Sequence, residues 1–448
     1  MRFPATFALT IGAVLCLHGE SAHAQRMQAR EQEFLELQPR VGDPLPDVEV
    51  STVDGKPFKT ADLRGHYTVL TFGCLTCPPS IWNIAGLEAV HRDYAGKGVR
   101  FFYIFKSLAH PELVGNYVQP FTMEERLDQA RQAAKQFGTQ IPWVVDAIDN
   151  RLKHALGDRP NSQFLIDPDG IVVSKRHWSH PGLVREELAE LVGPVDPITQ
   201  VEDLHLNLQP PLPASAPRGA VQRIPRLELQ PLVLEPRLQG TPFYAKLRAE
   251  GDEGLLRGGD GTLYLGFHLD PFHDAHWNNL TDPLSFRIET ADGVVLDHWE
   301  ASAEKVAAVT DSDPREFLLK VTAWPEDQPL RLTVTYFACV GEESCHALRQ
   351  QYVLHRRRDI DGGGARGEGP GFWDADEFAS RLFAGDANND HRLSKEEAVG
   401  LLLPHFEKLD TNSDGLLDRS ELDVVTTWLN HVHQPNPGIE TSSSSSGE

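Results

Sequence analysis

The chain has 448 residues, which is too many for a single hydrophobic core, since most domains hold about 100 to 200 residues. Its formal net charge of -23 repels nucleic-acid phosphates and anionic lipid headgroups. The composition therefore predicts a multidomain protein and excludes nucleic acid as a natural partner.

The first residues predict a secretory signal peptide over 1–24. Arg2 precedes a mainly apolar run from Phe7 to Leu17, and Ala22-His23-Ala24 offers an A-x-A cleavage site. The apolar run is too short to span a bilayer, and no later stretch approaches the roughly 20 apolar residues of a membrane helix. We therefore expect an exported protein, periplasmic or extracellular, with no membrane span.

Residues 41–195 alternate between apolar runs and a helical pattern, which predicts an α/β thioredoxin-like domain. The strand-like runs are rich in β-branched and aromatic residues and cover 67–72, 99–105, 143–145 and 164–166. Residues 123–137 have helical spacing, and 167–170 read Asp-Pro-Asp-Gly, which predicts a hairpin turn.

Beyond this domain the composition changes several times. Prolines recur over 209–236 and predict an extended linker. Short alternating runs over 237–358 predict an immunoglobulin-like β-sandwich domain. Three further segments are predicted: a Gly-rich hinge at 359–371, an all-α EF-hand pair at 372–433, and a disordered, serine-rich tail at 434–448.

Once Cys16 is removed with the signal peptide, four cysteines remain, in two close pairs. Cys74 and Cys77 form one pair, and Cys339 and Cys345 form the other. In an exported protein an even number of closely paired cysteines favours two disulfides or dithiols, one in each domain.

The first pair forms a CxxC motif between a predicted strand and a predicted helix. Pro78 and Pro79 follow Cys77, and proline is favoured at the start of a helix because its missing N–H would be unpaired there. Cys77 is therefore expected at the N-cap, where unpaired amides and the helix dipole stabilise a thiolate. The motif predicts a redox pair in which Cys77 attacks and Cys74 resolves.

The surrounding segments resemble a known group. Residues 41–47 and 54–65 are similar to the start of peroxiredoxins and related thioredoxin-fold redoxins, and 72–79 resemble the active segment of iodothyronine deiodinases, with Cys77 at the selenocysteine position. Ala109-His110-Pro111 is similar to the family segment carrying an active-site histidine, which implies that His110 donates a proton or orients substrate. The resemblance implies a deiodinase-like thiol-disulfide oxidoreductase that acts on a small-molecule or protein disulfide and needs an external thiol reductant.

Two other functions fit the same sequence. A thiol peroxidase of the peroxiredoxin type would use a threonine near the cysteine, and Thr71 stands three residues before Cys74, although the usual proline ahead of it is missing. The second alternative is a non-catalytic, calcium-dependent extracellular interaction protein that uses the thioredoxin fold as a scaffold.

Cys339 and Cys345 lie at the ends of a loop between two predicted strands, where a disulfide would bridge a hairpin. The arrangement resembles the immunoglobulin-like periplasmic domain of DsbD-type reductases, whose C-x5-C pair passes electrons to thioredoxin-fold partners. The resemblance implies an electron relay to the CxxC pair, and a purely structural bridge is the alternative.

Two acidic loops, 386–397 and 410–421, have the spacing of EF-hand calcium sites. The predicted ligand residues are Asp386, Asn388, Asp390, Arg392, Ser394 and Glu397 in the first loop, and Asp410, Asn412, Asp414, Leu416, Asp418 and Glu421 in the second. Leu393 and Leu417 are placed to pair as a short β-bridge. His391 replaces the usual glycine, which predicts a weaker first site. We expect two bound Ca²⁺ ions and no organic cofactor.

Overall fold

The computed structural model describes residues 29–112, 116–204, 206, 211–224, 227–238, 240, 242–341, 344–364, 392–395, 397–398, 406–410 and 414–418. The predicted signal peptide and serine-rich tail lie outside these residues. The chain divides into two compact units. The first holds Met1–Gly73, Gly86–Lys106 and Ile141–Thr199, and the second holds Cys74–Ala85, Ser107–Gln140 and Gln200–Glu448.

The first unit contains a seven-stranded sheet. Its strands are β1 (Glu49–Thr52), β2 (Pro57–Lys59), β3 (Thr68–Gly73), β4 (Arg100–Phe105), β5 (Trp143–Val145), β6 (Gln163–Ile166) and β7 (Val172–Arg176). They lie in the order β2-β1-β5-β4-β3-β6-β7, and β3 pairs parallel with β4 and antiparallel with β6. The predicted thioredoxin-like sheet is confirmed, because each strand-like run of the sequence overlaps one of these strands.

Burial explains why β3 lies inside this sheet. All six residues of β3 are buried. Leu70 and Phe72 pack in one core with Ile104 of β4 and Val144 of β5. Burying a side chain of this size contributes about 1.5 to 3 kcal/mol, so these contacts fix the carboxyl end of β3, where the CxxC motif begins.

The described helices are α1 (Pro78–Tyr94), α2 (Met123–Phe137), α3 (Arg151–Ala155), α4 (Pro181–Val192), α5 (Glu253–Gly258) and α6 (Phe406–Leu409), and residues 29–36 are also helical. Helix α2 has the predicted bounds. Thr122 and Glu125 form a capping box at its start, and Gly138, with a φ of 60°, ends it. No helix in the described part of the chain has both the length and the apolar character needed to cross a membrane.

The second unit contains a sheet of eleven strands. They are β8 (Gln230–Pro236), β9 (Ala245–Gly251), β10 (Gly261–Leu269), β11 (Ala275–Asn278), β12 (Ser285–Ile288), β13 (Val295–Leu296), β14 (Glu300–Ser302), β15 (Thr310–Asp311), β16 (Arg315–Ala323), β17 (Leu330–Val340) and β18 (Ser344–Arg358). The order is β13-β16-β10-β9-β8-β18-β17-β11-β15, and β12 pairs with β14 and β17. The predicted sheet-rich region is present, and its immunoglobulin-like type remains a prediction.

A single buried core joins the strands on both sides of β8. Phe317 of β16 packs edge to face on Phe286 of β12, with ring centroids 4.9 Å apart. The Tyr336 hydroxyl of β17 accepts a hydrogen bond of 3.1 Å from the Ala245 amide of β9. Strands from the two halves of the sheet therefore share one interior, as in two packed layers.

The predicted linker ends earlier than its prolines suggest. Residues 230–236 form β8, which pairs first with β9 and then with β18, so the prediction of an irregular linker up to 236 is wrong. Pro231 and Pro236 stand near the two ends of the strand, where a missing N–H is tolerated. Upstream, the Asp313 carboxylate accepts hydrogen bonds from the amides of residues 219–221 and holds the extended chain in place.

Candidate functional site

The CxxC motif lies where β3 ends and α1 begins. β3 ends at Gly73, directly before Cys74, and α1 begins at Pro78, directly after Cys77. The Ile81 amide donates to the Cys77 carbonyl at 3.0 Å, which is the first hydrogen bond of the helix. Cys77 therefore holds the predicted N-cap position, beside the positive end of the helix dipole.

Neither thiol of the motif is part of a disulfide, and both lie beneath the protein surface. Cys74 is 0% exposed and Cys77 is 1% exposed. Leu75 and Thr76 between them are equally buried. Another molecule can reach these sulfurs only when the residues that cover them move aside.

The sulfur of Cys74 accepts a hydrogen bond from within the second unit and lies close to a hydroxyl group. The Ala109 amide donates to it at 3.4 Å, and the Thr76 hydroxyl lies 3.6 Å away. The Thr76 oxygen in turn accepts a hydrogen bond of 3.1 Å from the His110 amide. These contacts fix the Cys74 sulfur against the loop at 109–110.

His110 reaches the motif through its main chain. Its side chain is half-buried and faces the backbone of Gly364, since a Cβ atom placed on that glycine would lie 3.0 Å from the Nδ1 atom of His110. The sequence pointed to the side chain of His110 and gave no sign of the hydrogen bond from its backbone amide to Thr76. The roles of His110 as proton donor or substrate-orienting group remain predictions.

Comparison with known proteins gives one family match. Residues 41–175 match the model of the AhpC/TSA family. This segment is therefore similar to AhpC/TSA proteins, and its sheet is that of a thioredoxin-like α/β domain. The match covers the CxxC motif and His110 and ends before the eleven-stranded sheet begins.

Individual proteins resemble the same part of the chain. One is Thiol-disulfide oxidoreductase ResA of Geobacillus thermodenitrificans, 26% identical over 133 residues, which are 30% of this chain and 66% of that protein, just under two thirds of its length. A thiol:disulfide interchange protein of the thioredoxin family from Chlorobium tepidum is 22% identical, over 35% of this chain and 99% of that one, with a TM-score of 0.27. A secreted disulfide oxidoreductase of Mycobacterium tuberculosis is 16% identical, over 32% of this chain and 95% of that one, with a TM-score of 0.26.

The loop that contacts Cys74 is held in place by residues 361–364, which lie far along the chain. The Gln119 side chain exchanges hydrogen bonds of 3.0 and 2.9 Å with the main chain of Leu108, and it donates to the Asp361 carbonyl at 3.1 Å. The Gly364 amide donates to the Ala109 carbonyl at 2.7 Å. Residues 359–364 are thus packed rather than a free hinge, and the hinge prediction is wrong for this part. Residues 365–371 lie outside the described chain.

The second cysteine pair forms a disulfide. Cys339 of β17 and Cys345 of β18 face each other in the strand register and are bonded. Cys339 is buried, whereas Cys345 is exposed. The predicted bridge across a hairpin is confirmed, and its redox activity remains a prediction.

The described parts of the two acidic loops lie side by side. β19 (Leu393–Ser394) pairs antiparallel with β20 (Leu416–Leu417), so the predicted pairing of Leu393 with Leu417 is confirmed. Arg392 of the first loop forms an ion pair of 3.4 Å with Asp414 of the second.

The second loop turns sharply around the carboxylate of Asp410. The Asp410 carboxylate accepts hydrogen bonds from the Asp414 and Gly415 amides at 3.0 and 2.9 Å. Gly415 has a φ of 80°, which supplies the sharp turn at the sixth position. Leu416 and Asp418 follow on the same loop. The roles of Asp410, Asp414, Leu416 and Asp418 as calcium ligands remain predictions.

The first loop is described only in its second half. The Glu397 carboxylate accepts hydrogen bonds from the Ser394 amide and hydroxyl at 3.0 and 2.7 Å. The predicted ligands Asp386, Asn388, Asp390, Asn412 and Glu421 lie outside the described residues, as does His391.

Proposed function

We propose that this chain is a thiol-disulfide oxidoreductase that works through the Cys74–Cys77 pair. The observation that carries the proposal is a reduced CxxC motif at the strand-to-helix junction of a domain similar to AhpC/TSA proteins, with an amide directed at the Cys74 sulfur. The relative named as a thiol-disulfide oxidoreductase supports the same chemistry.

In the proposed reaction the Cys77 thiolate attacks one sulfur of a substrate disulfide, and the other substrate sulfur leaves as a thiolate. The Cys74 thiolate then attacks the Cys77 sulfur and releases the remaining substrate thiol, which leaves a Cys74–Cys77 disulfide. An external dithiol reductant returns this disulfide to the free pair. The N-cap position of Cys77 favours the first step, and the hydrogen bond from the Ala109 amide positions the Cys74 sulfur for the second.

Trapping tests both the function and the order of attack. Cys74→Ser leaves no resolving thiol, so a substrate protein is expected to stay covalently bound to Cys77 and to be released by dithiothreitol. Cys77→Ser is the matched control and is expected to trap nothing. Trapping by Cys77→Ser alone would reverse the order of attack, and absence of trapping and of insulin reduction by the unmodified chain would refute the function.

We further propose that the activity is of the deiodinase-like type, with His110 as proton donor. Residues 72–79 and the Ala-His-Pro segment support this assignment. Release of iodide from an iodothyronine in the presence of dithiothreitol, lost in Cys77→Ser and reduced in His110→Ala, is the expected result. Turnover of hydrogen peroxide without iodide release would instead favour the thiol peroxidase.

We also propose that the loops at 386–397 and 410–421 bind two Ca²⁺ ions. Asp410, Asp414, Leu416 and Asp418 would hold the second ion through oxygen atoms, and the backbone turn at Gly415 supports this site. At the affinities of extracellular modules, about 10⁻⁴ to 10⁻³ M, the ions would remain bound outside the cytoplasm and serve a constitutive role. Export to the periplasm or beyond is part of the same proposal. Measurable calcium binding by a chain that has no thiol activity would favour the non-catalytic interaction protein.

A further inference from the structure

The segment 361–364, which we call the strap, lies directly against the loop that contacts Cys74. A Cβ atom added to Gly363 would come within 2.5 Å of the Cδ atom of Pro111 and 3.1 Å of the Ala109 carbonyl oxygen. Gly363 also has a φ of 85°, which disfavours other residues. Together with the Gly364–Ala109 hydrogen bond, this close approach shows that the strap and the loop fit each other backbone to backbone.

Arg248 of β9 fastens the strap. Its guanidinium group donates to the carbonyls of Gly362 and Gly364 at 2.8 and 2.9 Å. The same group donates to Glu250 at 2.6 Å and lies 3.4 Å from Glu112, which belongs to the loop beyond His110. One planar fork therefore joins the eleven-stranded sheet, the strap and the loop.

Two neighbouring carboxylates stabilise the positive charge of the Arg248 guanidinium group. Burial would lower the pKa of Arg248, but Glu250 and Glu112 outweigh it and raise the pKa above its ordinary value. Lysine cannot replace the fork, because a single ammonium group does not reproduce the geometry of two parallel N–H donors.

We propose that Arg248 is a positioning residue that, through the strap, holds the Ala109 amide on the Cys74 sulfur and so sets the reduction potential of the Cys74–Cys77 pair. This inference rests on the proposed thiol-disulfide chemistry. A hydrogen bond donated to a cysteine sulfur stabilises the reduced pair more than the disulfide, whose sulfur is the weaker acceptor, so it raises the potential. Releasing the strap lets Ala109 move away and favours the disulfide.

The test is the equilibrium of the full chain with glutathione buffers of graded ratio. Two variants release the strap independently: Arg248→Lys removes the fork, and Gly363→Ala introduces a clash with Pro111. Gly98→Ala is the matched control, because Gly98 has the same φ of 85° and open space around its Cβ position. A stability measurement on each variant restricts the comparison to folded proteins.

Both strap variants are expected to shift the equilibrium constant three- to tenfold toward the disulfide, about 15 to 30 mV at 29.6 mV per tenfold change. The control Gly98→Ala is expected to lose stability but to keep the reduction potential of the unmodified chain. Unchanged potentials in folded Arg248→Lys or Gly363→Ala would overturn the role of Arg248 and the strap. If the unmodified chain forms no Cys74–Cys77 disulfide in these buffers, the proposed function itself fails.

Discussion

The His110 amide donates a hydrogen bond to the Thr76 hydroxyl oxygen at 3.1 Å, and that oxygen lies 3.6 Å from the Cys74 sulfur. Thr76, inside the CxxC motif, therefore connects the loop at 109–110 with the resolving thiol. Thr76 is fully buried, so water cannot replace this contact.

Replacing Thr76 with valine should slow disulfide exchange. Valine has nearly the same shape but no hydroxyl, and one hydrogen bond contributes about 1 kcal/mol, so we expect a roughly three- to tenfold lower rate of insulin reduction. Thr322→Val, at an exposed position of β16, is the control and should react like the unmodified chain. Equal rates for the two variants would show that the Thr76 hydroxyl has no part in the exchange.

Asp93 should make stability depend on pH. Burial opposes its ionisation, but hydrogen bonds from Thr199 and the ion pair with Arg185 outweigh burial, and the pKa of Asp93 lies below its ordinary value. A lowered folded-state pKa stabilises the protein above the unfolded-state pKa of about 3.9, and this contribution is lost as the pH falls through the folded value. Asp93→Asn should therefore lower the free energy of unfolding most near pH 7.

Urea unfolding of Asp93→Asn and the unmodified chain between pH 7 and pH 3 measures this difference. The gap between the two proteins should narrow as the pH falls below about 4. Asp54→Asn, at an exposed turn, is the matched control and should show no gap at any pH. A gap that stays constant, or widens in acid, would contradict the assignment.

Lys246 should be far more important for stability than an exposed lysine. Its side chain is 2% exposed, and its ammonium group lies 2.9 Å from Glu125 and 2.8 Å from Asp270. Lys246→Met would leave the buried Asp270 and the half-buried Glu125 carboxylates without this cation, at a cost of about 3 to 5 kcal/mol in urea unfolding. Lys59→Met, which removes an exposed ion pair, should cost less than about 1 kcal/mol, and a similar loss in both variants would refute the comparison.

Asp410→Asn should abolish one of two calcium sites. The substitution keeps a hydrogen-bond acceptor for the Asp414 and Gly415 amides but removes a charged ligand. Calorimetry of the full chain with millimolar calcium should give about two ions for the unmodified protein and one for the variant. Asp282→Asn, at an exposed position outside the loops, should still bind two, and no binding heat in the unmodified chain would refute both sites.

Removing the disulfide between Cys339 and Cys345 tests whether it relays electrons or is only a structural bridge. If it relays electrons, replacing both cysteines with serine should lower multiple turnover with the physiological reductant but leave the first attack by Cys77 unchanged. Cys345 is exposed, so an incoming thiolate can reach it. Full turnover in the double variant, together with a lower free energy of unfolding, would assign the bridge a structural role alone.

The sequence predicted correctly those features of the fold that depend on residues close together in the chain or on a repeated spacing. The helix at 123–137 ends where Gly138 permits a left-handed turn, and Leu393 pairs with Leu417 because the two loops repeat one spacing. The prolines at 231 and 236 led to the wrong prediction of a linker up to 236, because strand β8 is stabilised by partners far along the chain. The role of Arg248 could not be predicted, since nothing in the residue pattern of β9 indicates that a buried guanidinium group contacts two glycine carbonyls and Glu112.

The strap also determines when the redox site can be completed during synthesis. Gln119 and Asp361 are joined by a hydrogen bond although they are 242 positions apart. Contacts with so large a separation form late, because the intervening chain must first be ordered. The thiols should therefore lack their final surroundings while the chain emerges, and they should acquire their mature reactivity only after the eleven-stranded sheet has folded.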